Sequence, residues 1–211
     1  MSGNALAETL SPRSLQRRDE ILEAATELFL EKGFSGYSID DIIKRTGGSK
    51  RTIYKLFPCK QDLFGAIAQG VVQKVLEPIE IPTLAERPIE DVLREFGENY
   101  IAVKTSSEFS KLYRSILTEA ARFPDTCRCV FESGPARVNA ALAEVLAHYE
   151  ARRDVAFTNR ELAAEQFVAM LRTERMLAAS LGIEPQPSKA IIRRQVANAV
   201  TTFLDGCRKR G

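Results

Sequence analysis

Histidine is nearly absent from this 211-residue chain: His148 stands alone, and no G-x-S-x-G, H-E-x-x-H or phosphate-loop pattern occurs. The common catalytic triads and histidine-rich metal sites lack their parts, so no enzyme, cofactor or metal centre is expected. No apolar run approaches the length of a membrane span, and residues 1–14 lack the apolar segment of an export signal. A soluble, cytoplasmic chain with no membrane partner is the expectation. Cysteine is sparse: Cys59, Cys127, Cys129 and Cys207 lie far apart except for one C-x-C, which suits reduced thiols better than a disulfide framework. Strand signals are scarce too. Apolar periods near 3.6 residues dominate and are broken by Pro or Gly at intervals suited to helices, which predicts an all-α fold. With 45% hydrophobic residues the chain can build a real core and is not disordered.

What is present gathers first in the stretch from Ser38 to Phe57. Ser38 can cap a helix, and Asp41, three positions on, can reach back to its amide as a capping-box partner. Ile39, Ile42 and Ile43 then fall on one helical face. Thr46-Gly47-Gly48 tolerates φ > 0, and Ser49 can cap a second short helix through Leu56, limited by Pro58. Two short helices across a glycine turn describe a helix-turn-helix, whose second helix enters the DNA major groove. The charge pattern agrees. Six Lys/Arg and no Asp or Glu lie between Ile42 and Gln61; the first 60 residues carry the whole net charge of +2, and the remainder is neutral. A surface hairpin whose lysines only confer solubility fits the same composition.

The run GYSIDDIIKRTGGSKRTIYKLFPCKQDLF resembles the signature of TetR-type bacterial transcriptional regulators: a helix ending in Gly-Phe, a short helix, a Gly-Ser turn, then Tyr-x-x-Phe and Lys-x-x-Leu. The resemblance covers residues 17–64. It implies an N-terminal helix-turn-helix DNA-binding domain followed by a helical ligand-binding and dimerisation domain. Lys50, Arg51 and Thr52 would then face bases or phosphates, Tyr54 would bond a backbone phosphate, and Lys60 would pin another. Arg17, Ser38 and Lys55 complete the expected DNA-binding set. Gly48 departs from the pattern, where relatives often carry a small apolar residue.

In chain order, residues 1–13 are expected to be an arm, residues 14–60 the DNA-binding domain, and residues 61–211 the effector-binding and dimerisation domain. The first helix is predicted over Ser14 to Lys32. Pro78, Pro82 and Pro88 mark an interdomain loop, and Gly134-Pro135 should kink or split a later helix. Phe96, Tyr100, Phe109, Tyr113, Phe123 and Phe131 fall on inward faces, where aromatics at helical spacing also make an ordinary filled core. The resemblance implies a small-molecule pocket there, with Phe64, Phe96, Tyr100, Phe109, Tyr113, Ile116, Phe131, Phe167, Met170 and Arg172 as candidate lining. A helix capped by Asn159 is predicted to run to Leu181, and another follows Ser188. The resemblance makes this pair a dimer interface, through Leu162, Leu177, Ile192, Val196, Val200 and Phe203. The segment order after Phe123, including FESGPARV, is similar to the AefR-like subgroup.

These features converge on a homodimeric regulator, a repressor, that binds a near-palindromic operator and is released by a small hydrophobic effector. Two alternatives stand beside it. Cys127-Arg128-Cys129 suits a redox sensor, since a neighbouring arginine can lower a thiol pKa, although two unrelated thiols on opposite helix faces are the favoured reading. An all-helical protein-interaction module without an operator also fits the fold.

Overall fold

The computed structural model describes residues 11–33, 36–76, 87–119, 121 and 124–207. Residues 1–10 of the arm expected over 1–13, Pro78, Pro82, Phe123 and the side chains of Cys129 and Cys207 lie outside the described residues, and Ser11 to Arg13 belong to the start of the first helix. Among the described residues every regular element is helical: α1 (Pro12–Lys32), α2 (Ile39–Thr46), α3 (Lys50–Leu56), α4 (Lys60–Leu76), α5 (Ile89–Lys104), α6 (Ser107–Glu119), α7 (Pro124–Phe131), a π-helical turn (Glu132–Ala136), α8 (Arg137–Ala151), α9 (Arg160–Leu171), α10 (Glu174–Leu181) and α11 (Lys189–Cys207).

Local chemistry sets most of these boundaries. Helix α1 starts two residues before the expected Ser14, because Ser11 accepts the Ser14 amide and Pro12 occupies the first turn, where its missing N–H is no loss. The capping box at α2 is complete: the Asp41 amide donates to Ser38 Oγ at 3.2 Å and the Ser38 amide to Asp41 Oδ2 at 2.9 Å. Pro135 does not end the helix it interrupts. The chain widens there into the π-helical turn, which absorbs the missing amide and hands over to α8. The helix expected from Asn159 to Leu181 is two helices, α9 and α10. Arg172 leaves helical geometry (φ −87°, ψ 74°) and Thr173 caps α10 by accepting the Met176 amide.

The chain separates into two compact units. One takes the described residues up to Gly70 with those from Lys111 to Ser133; the other takes Val71 to Ser110 and Gly134 onward. The first therefore reaches beyond residue 60 and includes residues 111–133. Its core joins Ile21, Leu28 and Phe29 of α1 to Ile42, Ile53 and Leu63, with Phe29 and Phe64 rings 5.1 Å apart. In the second unit α5, α8, α9 and α11 share one core. Gly97 lets α11 come close: a Cβ there would lie 2.7 Å from Val196 Cγ1, inside any tolerable contact.

Candidate nucleic-acid interface

Helix α3 is held by a narrow apolar stripe. Ile53 and Phe57 are buried, whereas Lys50, Arg51 and Lys55 are exposed and Tyr54 is 47% exposed. Its N-terminus is capped by Ser49, whose Oγ accepts the Thr52 amide at 3.3 Å and lies 3.1 Å from the Thr52 hydroxyl. The outward face thus presents cations and hydroxyls on a firmly seated helix, the chemistry that contacts phosphates and base edges.

The basic residues around it divide into two groups. Arg45 reaches Glu27 at 2.8 Å and also Glu31, fastening α2 to α1. Lys50 Nζ lies 2.9 Å from Asp40 Oδ2, and that hydrogen bond, with the Asp40 charge, holds the ammonium above the ordinary lysine range. Lys60 donates to the Tyr37 carbonyl at 2.7 Å and sits 4.0 Å from the centroid of the Tyr37 ring. Arg51 and Lys55 meet no carboxylate among the described residues. The free-standing cations of the interface are therefore fewer than the basic residues.

Arg17 is expected at DNA, yet its guanidinium is spent on the turn. Its Nη1 donates to the Thr46 carbonyl at 2.9 Å and to Glu20 at 2.8 Å, and its Nη2 donates to the Gly47 carbonyl and to Thr46 Oγ1 at 3.3 Å. Gly47 and Gly48 both have positive φ, 69° and 91°. The Ser38 hydroxyl is likewise occupied, donating to Asp41 Oδ2 at 2.8 Å. Arg18, which the sequence offers with Arg13 and Arg17 as a phosphate contact, has its guanidinium 5.2 Å from the Phe57 ring centroid, at the root of α3.

Residues 21–67 match the profile of bacterial regulatory proteins of the tetR family, and residues 91–206 match the C-terminal domain of AefR-like transcriptional repressors. The chain belongs to the TetR family. This family comprises transcriptional regulators that bind DNA and are not enzymes. A TetR-family regulator from Mesorhizobium loti is 31% identical, with 94% of this chain and 100% of that one covered and a TM-score of 0.80. The flavonoid-responsive regulator FrrA is also 31% identical, over 93% of this chain and 99% of its own, with a TM-score of 0.75. The HTH-type regulator YvdT of Bacillus subtilis is 39% identical over 62 residues, 29% of this chain and 32% of its own length. The chain thus matches only about a third of that curated relative.

The C-terminal domain of this TetR-family chain corrects several residue expectations. Ile192, Val196, Val200 and Phe203 do not await a partner: all four are buried in the chain's own core, because the apolar stripe of α11 is covered by α5 and α9. Leu162 and Leu177 remain exposed, at 47% and 49%. Among the expected pocket residues, Phe96, Tyr100 and Phe167 pack ring to ring in the core of the second unit, and Phe64 packs on Phe29 in the first. Phe109 is buried, and Tyr113 and Ile116 are half-buried. Phe131, expected inward, is 61% exposed, and Met170 is exposed as well. Phe131 is the last residue before the π-helical turn, where the 3.6-residue phase carried back from α8 does not hold. The Cys127 thiol contacts the Ile116 carbonyl weakly, at 3.9 Å.

Proposed function

We propose that this TetR-family regulator is a cytoplasmic homodimeric repressor that binds a near-palindromic operator through α3 and is released by a small hydrophobic effector. The observation that carries the reading is α3 itself, seated by Ile53 and Phe57 with Arg51, Tyr54 and Lys55 directed outward. Two such helices held about 34 to 36 Å apart enter successive major grooves on one DNA face, which favours an inverted repeat. Leu162 and Leu177 supply exposed apolar surface for the partner copy. The flavonoid-responsive relative supports an aromatic effector. Effector release then follows if the ligand binds a conformation whose recognition helices do not fit successive grooves. No helix among the described residues is long and apolar enough to cross a membrane.

A band-shift assay on the promoter upstream of its own gene tests this directly. A discrete complex that competes with itself but not with unrelated DNA is expected. Tyr54→Phe and Lys60→Ala should weaken all sequences alike, whereas Lys50 and Thr52 substitutions should change sequence preference. Smearing with promoter and unrelated DNA equally would instead favour an interaction module with incidental basic charge.

The Lys50 ion pair yields a further expectation. Asp40→Asn removes a carboxylate from beside α3 and frees the Lys50 ammonium. DNA binding should tighten, with the salt dependence steepening by about one counterion. Fluorescence anisotropy across a salt series reads both, and weaker binding would mean that Asp40 serves to aim Lys50.

A further inference from the structure

The C-terminal residue of α5 and the break between α9 and α10 bring two cations together in the second unit. Lys104 lays its ammonium 4.0 Å from the centroid of the Phe109 ring and 5.7 Å from that of Tyr100. Arg172 uses its Nε to donate to the Tyr100 hydroxyl at 3.1 Å, and neither cation meets a carboxylate among the described residues. Elsewhere in this unit Arg87, Arg160, Arg175 and Arg193 each meet one. Tyr100 is fully buried, Lys104 half-buried and Arg172 exposed, so the cluster runs from an aromatic floor to solvent.

Two like charges repel, and the rings beneath Lys104 offset only part of the cost of drawing its ammonium from water. Burial first, and then the Arg172 charge, lowers the Lys104 pKa to about 8. A bound anion would relieve both effects: entering from the exposed Arg172 side, it neutralises the pair and takes up the remaining guanidinium N–H groups. The carboxylate or phenolate of an aromatic effector has this charge. Nothing in the sequence singled out Lys104, because it only closes the amphipathic pattern of α5.

We propose that Lys104, set over the Phe109 and Tyr100 rings, and Arg172, bonded to the Tyr100 hydroxyl, form the subsite that binds the negatively charged group of an aromatic effector. This rests on the effector-release reading above and specifies its ligand class. The position of Arg172 gives such an anion a lever. It would join the end of α5 to the only non-helical residues between α9 and α10, Arg172 and Thr173.

The test pairs two probes of matched size, naphthalene-2-carboxylate and naphthalene-2-carboxamide, titrated calorimetrically into the full-length protein. The carboxylate should bind tighter by on the order of tenfold, the scale of one or two charge-assisted hydrogen bonds. Lys104→Met and Arg172→Met should each remove that preference while leaving carboxamide affinity unchanged, and Lys104→Arg should retain it. Arg172 is exposed, so its variant carries the test if Lys104→Met lowers the melting temperature. Equal affinity for the two probes, a preference surviving in Arg172→Met, or no binding of either probe at millimolar concentration overturns the proposal. Band shifts with the same probes separate the two readings. Charge-selective binding that leaves the DNA complex intact keeps the anion subsite and removes effector release; release by the carboxamide as efficiently as by the carboxylate keeps effector release and removes the subsite.

Discussion

Phe167→Ala should lower the free energy of unfolding by about 3–5 kcal/mol. The Phe167 side chain is 0% exposed, and its ring centroid lies 6.3 Å from that of Phe96 and 5.1 Å from that of Phe203. Phe96 continues the array to Tyr100 at 5.9 Å, and Phe203 continues it to Phe157 at 6.0 Å. The five rings draw α5, α9 and α11 together with the segment after α8. Removing the middle one leaves a void that neighbouring helices cannot close without moving several side chains. For a chain of this size a loss of that magnitude lowers the melting temperature by roughly 6–20 °C. It is also a large share of the typical total stability of about 5–15 kcal/mol. Thermal and urea unfolding of the two proteins measure it. The same substitution decides what the aromatic array is for. A ring lining an open pocket would leave the melting point nearly unchanged and alter ligand affinity, whereas a ring filling the core does the reverse.

Phe167 also shows where sequence reading stops. It falls in the apolar pattern of the helix after Asn159, and Phe167 and Leu171 are buried there, but periodicity cannot say whether an apolar face meets a neighbouring helix, a ligand or another chain. The same ambiguity placed Ile192, Val196, Val200 and Phe203 at a dimer contact when α5 and α9 already cover them. Signals that act within three or four residues were legible. The Ser38–Asp41 box, the Ser49 cap and the Asn159 cap all form as the residue order suggests. Thr173 is a cap of the same kind, but the apolar pattern runs on across it and hid the break between α9 and α10. Charges were legible as charges only. Lys50, Lys60 and Arg17 find Asp40, the Tyr37 carbonyl and the Thr46–Gly47 carbonyls, 10 to 30 positions away, at distances only the folded chain reveals. The basic stretch was therefore legible as a helix-turn-helix element in outline, whereas the partners its individual cations hold in the folded chain were not.

Gly48→Ala should weaken operator binding by about five- to thirtyfold, the equivalent of the 1–2 kcal/mol by which a Cβ disfavours a left-handed backbone. Gly48 has φ 91°, and a Cβ built on it would sit 2.9 Å from Arg17 Nη2. The guanidinium is the far end of a flexible side chain and can withdraw, but withdrawal breaks its bonds to the Thr46 and Gly47 carbonyls. The turn then loses both its backbone geometry and its clasp, and α3 must be reset each time DNA binds. A small apolar residue at this position is thus not a neutral replacement in this chain: Arg17 and Gly48 are fitted to each other. The salt series separates this account from a direct role for Arg17 at DNA. If Arg17 clasps the turn, Arg17→Met weakens binding with the salt slope unchanged, while a lost phosphate contact would reduce that slope by about one. The double variant Gly48→Ala/Arg17→Met should lose less than the two single losses combined, since the clash and the clasp involve the same atoms. Strict additivity, or a Gly48→Ala protein that binds as the parent does, would show that the turn relaxes to negative φ and that Arg17 serves elsewhere.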